Sequence, residues 1–141
     1  MHEAREREEY RDRHPREHVQ AEHERHVLHV GDIGATIQDY CESFGYGIVR
    51  ELTGHGIGKE MHEEPKIPNY GCHGNGVMLK AGMCIAIEPM ITMGDYHIGM
   101  LPDKWSIVTC DRKPAAHFEH TIAIRKGKAE ILSTFEEIEN H

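Results

Sequence analysis

The sequence predicts an α+β domain in which one or more helices pack on a mostly antiparallel sheet. Three observations carry this expectation. Ile33, Ile37, Tyr40, Cys41 and Phe44 recur at helical spacing and stop at Gly45, as a C-terminal glycine would stop a helix. The run MCIAIEPMIT at 83–92 is the clearest strand, with Ile85 and Ile87 on one face and Glu88 on the other. The Lys126-Gly127-Lys128 turn, between segments 118–125 and 129–132, is a hairpin signal.

Taken in order, residues 1–30 differ sharply from the rest. They hold six histidines (His2, His14, His18, His23, His26, His29) and six of the nine arginines, but neither lysine nor glycine. A segment of this charge density is expected to be a solvated helix or disordered extension, with Pro15 a break. His14 and His18, spaced four apart, would share a helix face, although a dense His tract produces such pairs by chance. From 31 to 139 the chain reads as an ordinary globular unit. After the helix, 46–52 is a short strand candidate, and 54–76, rich in Gly, Pro, His and Asn, reads as a long functional loop. Segments 105–109 and 118–125 are further strands.

The bulk numbers narrow the function. A chain of 141 residues with 38% hydrophobic content suits one domain. A formal charge of −8 argues against a nucleic-acid partner, which needs concentrated Lys and Arg. No apolar run approaches the roughly 20 residues that span a bilayer, and the charged first residues exclude a secretory signal peptide. The expected location is the cytoplasm. Cys41, Cys72, Cys84 and Cys110 form no C-x-x-C pair and read as reduced thiols.

Three polar residues stand where strand or turn geometry could aim them at one point. His55 is enclosed by Gly54, Gly56 and Gly58, which allow close backbone approach and positive φ. Glu88 interrupts an apolar strand, and Glu119 opens the last long one. A carboxylate in such a strand is costly to bury unless paired or metal-bound. One imidazole and two carboxylates make a hard, mixed ligand set that suits Mn, Fe(II), Co or Zn. On pattern alone, a surface-facing glutamate on an edge strand is an equal alternative.

The ordered segments G-H-G-I-G (54–58), M-H-E-E-P (61–65), L-K-A-G-M (79–83), I-E-P-M (87–90) and F-E-H-T (118–121), with G-D-I-G-A-T-I-Q (31–38), closely resemble type I bacterial methionine aminopeptidases. The resemblance implies the C-terminal half of a pita-bread (creatinase/aminopeptidase) fold and metal-dependent removal of the initiator methionine from nascent proteins. It implies His55, Glu88 and Glu119 as metal ligands and Glu88 also as catalytic base. It further implies His62 at the scissile carbonyl and Met61 and Trp105 lining the methionine pocket. For Trp105, core packing is the competing reading.

The family's other half carries two aspartate ligands and a further histidine, whereas before the matching region this chain offers only Asp12. Asp32 and Asp39 fall on the expected helix and are not substitutes. The resemblance therefore implies two metal ions in the family and at most one here. It also implies a truncated chain whose activity depends on a complementing N-terminal half or a homodimer. The alternative is a non-catalytic fragment that binds metal or a partner.

Overall fold

The computed structural model describes residues 28–134. The expectation of a charged helix or disordered extension falls almost wholly on residues 1–27, outside the described residues. Helix α1 spans Val30–Glu42. Strands β1 to β10 follow as Gly47–Ile48, Gly54–Ile57, Glu63–Ile67, Cys84–Ile87, Met90–Thr92, Ile98–Met100, Ile107–Thr109, Ala115–His117, His120–Arg125 and Lys128–Ile131. They form a five-stranded sheet in the order β10-β9-β4-β2-β3, a three-stranded sheet β1-β5-β8 and the two-stranded ribbon β6-β7. Every neighbouring pair whose register is defined is antiparallel. One helix on a mostly antiparallel sheet is the α+β arrangement that the sequence predicts.

The helix ends where expected. Gly45 has φ +78°, and the Gly45 and Tyr46 amides donate to the carbonyls of Glu42 and Cys41. A positive φ there is nearly free for glycine alone. The face it buries differs from the apolar stripe. Val30, Gly34 and Ala35 are buried, whereas Tyr40 and Phe44 are exposed and stack edge to face on each other. The cause is close approach: a Cβ on Gly34 would collide with the carbonyl of Tyr70. The small residues let the helix backbone lie against the chain after β3, and Tyr40 and Phe44 are turned outward.

The core is small and aliphatic: Val30, Ile67, Ile85 and Ile122, with Ile33, Leu79, Ile87 and Ile124 packed against it. These side chains come from α1, β3, β4, β9 and the approach to β4, so the cluster ties the helix to the middle of the five-stranded sheet. Burying a side chain of this size contributes about 1.5–3 kcal/mol. The hairpin expected at Lys126-Gly127 is present, with Lys128 opposite Arg125 and Gly127 at φ +76°.

Three expectations are corrected. The segment 54–76 is not one long loop, because it contains β2 and β3. Gly54 and Gly56 do not have positive φ. Their role is close approach: a Cβ on Gly54 would collide with the carbonyl of Ala86, and one on Gly56 with the carbonyl of Glu64. Glycine in β2 thus lets two neighbouring strands close on both sides.

The segment 83–92 is not a single strand either, since it divides into β4 and β5, whereas 118–125 holds the one strand β9, which starts at His120. Each contributes to a break between sheets. Chain 84–92 leaves the five-stranded sheet as β4, passes Glu88-Pro89, and enters the three-stranded sheet as β5. Chain 115–125 makes the reverse passage, from β8 through Phe118-Glu119 to β9. The two breaks lie side by side, since Ile87 pairs with His120 and Met90 with His117. The Phe118 amide bridges them by donating to the Pro89 carbonyl at 3.2 Å. Pro89 has no amide hydrogen to continue a ladder, which accounts for the break on its side.

Candidate metal centre

The side-by-side breaks place Glu88 and Glu119 next to each other, and β2 brings His55 alongside. His55 is opposite Ala86 in the β2–β4 ladder, two residues before Glu88. A ring nitrogen of His55 and one carboxylate oxygen each of Glu88 and Glu119 all lie within 4.8 Å of one another. The structure thus brings together the three residues that the sequence singled out. Their environments differ: His55 and Glu88 side chains are each 15% exposed, whereas Glu119 is exposed. The expectation that burial makes both carboxylates costly therefore applies to Glu88 alone.

The orientation of His55 follows from its neighbours. Its Nδ1 lies 2.9 Å from the Gly56 carbonyl oxygen, which can only accept, so Nδ1 carries the proton and donates. Nε2 then faces Oε1 of Glu88 at 3.4 Å. Two electron-rich atoms this close, both mostly sheltered from water, repel unless positive charge stands between them. A proton on the ring or the carboxyl meets that need, or, second, a divalent cation. The second requires the donor set present here, a neutral imidazole held through its other nitrogen and two carboxylates.

Glu88 is held from behind. Its backbone carbonyl accepts a hydrogen bond from Nδ2 of Asn69 at 3.1 Å, and Asn69 is fully buried. Its second carboxylate oxygen, Oε2, lies 3.2 Å from Nε2 of His117 in β8. Neither Asn69 nor His117 is among the residues picked from the sequence. The signal for His117 was its place two residues before Glu119. Asn69, between Pro68 and Tyr70, carried none.

His55, His62, Glu88 and His117 line one side of a cleft of about 460 Å3. The rest of the lining is mostly apolar, with Leu52, Met90, Ile98 and Val108 among it. The His62 and His55 rings are 4.2 Å apart and tilted by 45°. Met61 and Trp105 stand apart from this lining, 72% and 86% exposed. For Trp105 the exposure excludes core packing. Asp103 holds its loop instead, accepting from the amides of Trp105 and Ser106 at 3.0 and 2.9 Å.

Asp32 and Asp39 lie on α1, as expected, and serve the loop after β3. Asp32 accepts from the amides of His29 and Gly74 at 2.7 and 2.8 Å, and Nδ1 of His73 is 3.2 Å from it. All four cysteines are free, with Cys72 and Cys110 exposed and Cys41 and Cys84 half-buried. Among the described residues, no helix is long and apolar enough to cross a membrane.

Comparison with known proteins agrees with this geometry. The chain is 52% identical over 105 residues to the methionine aminopeptidase of Clostridium acetobutylicum, a match covering 74% of this chain and 42% of that protein. It is 46% identical over 104 residues to methionine aminopeptidase 1 of Bacillus subtilis, with the same coverage. The chain thus spans less than half the length of the curated relatives it matches. In structure it is similar to the methionine aminopeptidase of Thermotoga maritima, with a TM-score of 0.75 and 47% identity over 77% of this chain and 43% of that one. The prolidase of Pyrococcus furiosus is more distant, with a TM-score of 0.56 and 25% identity over 78% of this chain and 27% of that one. The architecture is therefore that of the pita-bread methionine aminopeptidases, in part. The model of metallopeptidase family M24 matches residues 18–126, a stretch that contains His55, Glu88 and Glu119. The chain belongs to metallopeptidase family M24.

Proposed function

We propose that the cleft holds one divalent cation through His55 Nε2, Glu88 and Glu119, and serves the removal of an N-terminal methionine from peptides. The observation that carries this reading is the convergence of His55 Nε2 and Glu88 Oε1, 3.4 Å apart, with a Glu119 oxygen within 4.8 Å of both ligand atoms. Co, Mn, Fe(II) and Zn all suit such a donor set. A cation so held supplies Lewis acidity, which polarises a carbonyl and activates water at neutral pH.

The chain's own residues would do the rest. Glu88 takes the proton released when water attacks the first peptide bond and passes it to the departing amine. His62, its ring 4.2 Å from that of His55, donates to the developing charge on the carbonyl oxygen. The apolar wall of Leu52, Ile98 and Val108 excludes water beside the reacting bond. Met61 and Trp105, exposed before substrate arrives, close on the methionine side chain.

The test is hydrolysis of a Met-Ala peptide by the full chain with Mn or Co added. Turnover that Glu88→Gln abolishes supports the reading, and absence of turnover at every metal concentration refutes catalysis by this chain. A metal titration should find no more than one tight ion, lost in His55→Ala. A second reading, metal binding without turnover, is favoured by the ligand cluster itself, which among the described residues includes no aspartate. In that case turnover requires a complementing half that brings further carboxylates.

A further inference from the structure

Glu88 has a histidine nitrogen beside each of its carboxylate oxygens. Oε1 faces His55, and Oε2 lies 3.2 Å from Nε2 of His117. His117 ends β8, opposite Met90, on the far side of the break from β4. It is half-exposed, whereas Glu88 is mostly sheltered. It falls outside the trio whose ligand atoms converge, although it lines the same cleft.

We propose that His117 is a positioning residue for Glu88, engaging Oε2 and so turning Oε1 toward His55 and Glu119. The inference rests on the metal site proposed above. The chain leaves its ladder at Glu88-Pro89, so the backbone there constrains the side chain less than a continuous strand would. Asn69 fixes the backbone carbonyl but leaves the carboxylate free to rotate. A contact on Oε2 from the neighbouring sheet removes that freedom. Outer contacts of this kind raise metal affinity by orienting the ligand before the ion arrives. Because His117 belongs to the three-stranded sheet and His55 to the five-stranded one, Glu88 is oriented only when both sheets are in place.

Calorimetric titration of the full chain with Mn(II) alone provides the test, with Co(II) absorption as a second readout. His117→Ala is expected to weaken Mn(II) binding about 10–100-fold. His117→Gln, whose amide is a donor of similar reach, is expected to recover most of that loss. The Co(II) spectrum of every variant that binds should keep the coordination number of the parent protein. Unchanged affinity in His117→Ala overturns the proposal alone. Equal loss in the Ala and Gln variants, together with a changed Co(II) coordination number, overturns it in favour of direct ligation. No Mn(II) binding by the parent protein overturns the site reading and this proposal together. His117→Ala should melt within a few degrees of the parent protein, which separates its effect from unfolding.

Discussion

The side-chain amide of Asn69 donates to the backbone carbonyl of Glu88 across 3.1 Å, joining the loop after β3 to the break between the two main sheets. Asn69 is wholly buried, so the bond forms out of reach of water. Asn69→Leu removes the donor and leaves a sheltered carbonyl unpaired, which costs about 1–3 kcal/mol. Chemical denaturation should show that loss, and the same variant should bind Mn(II) more weakly because Glu88 is less well placed. A variant of parental stability would mean that water replaces the amide freely.

Gly54 and Gly127 are opposite cases of one residue type. Gly54→Ala forces a Cβ into the carbonyl of Ala86, so β2 must move away from β4 and His55 with it. Large destabilisation and loss of metal binding are expected together. Gly127 has φ +76° but no neighbouring atom within 4 Å of a built Cβ. Gly127→Ala should cost only the backbone penalty of about 1–2 kcal/mol and spare the site. Thermal melts with paired metal titrations check both.

Ile85 is wholly buried in the core, and Trp105 is 86% exposed. Ile85→Ala should cost about 2–5 kcal/mol. Trp105→Ala should leave stability within about 0.5 kcal/mol, as surface changes do. If Trp105 closes on a bound methionine, its removal raises KM for a Met-Ala peptide with no matching change in melting temperature. An unchanged KM would remove Trp105 from the substrate site.

Acid should loosen the helix start. Hydrogen bonds from the His29 and Gly74 amides hold the Asp32 carboxyl below its ordinary range. The folded state therefore binds this proton less readily than the unfolded chain, and the unfolded chain carries more protons near pH 4. Stability from Asp32 is thus present above the ordinary carboxylate pKa and is lost as pH falls through the lower folded value. Melting temperature should drop below about pH 4, and Asp32→Asn should flatten that part of the profile. A parallel profile in the variant would assign the acid sensitivity elsewhere.

The helix, its glycine stop, the last hairpin and the His55, Glu88 and Glu119 trio were all legible in the sequence. The helix, its stop and the hairpin rest on local signals, apolar spacing and turn chemistry. The trio rests on the ordered motifs of the family resemblance, since polar residues in apolar runs left a surface glutamate as an equal alternative. What was not legible is non-local. Gly54 and Gly56 suggest a loop by composition, and only their neighbours reveal that they admit two flanking strands. The run 83–92 looks continuous, because nothing in a strand's alternation says which sheet it joins. His117 and Asn69 act on Glu88 from other strands and loops, and sequence spacing does not report that proximity. The buried face of α1 escaped for the same reason, since Gly34 has no side chain to count as apolar.

The paired breaks also bear on how the chain acquires its site. β4 meets β9, and β5 meets β8, through partners some thirty residues apart along the chain. Such pairings form late and slowly, since loop closure is costly before any contact rewards it. Glu88 and Glu119 therefore become neighbours only after both sheets have docked. Hydrogen exchange at the Phe118 amide, which joins the breaks, should report the opening of this junction, and the ligand trio should scatter whenever it opens.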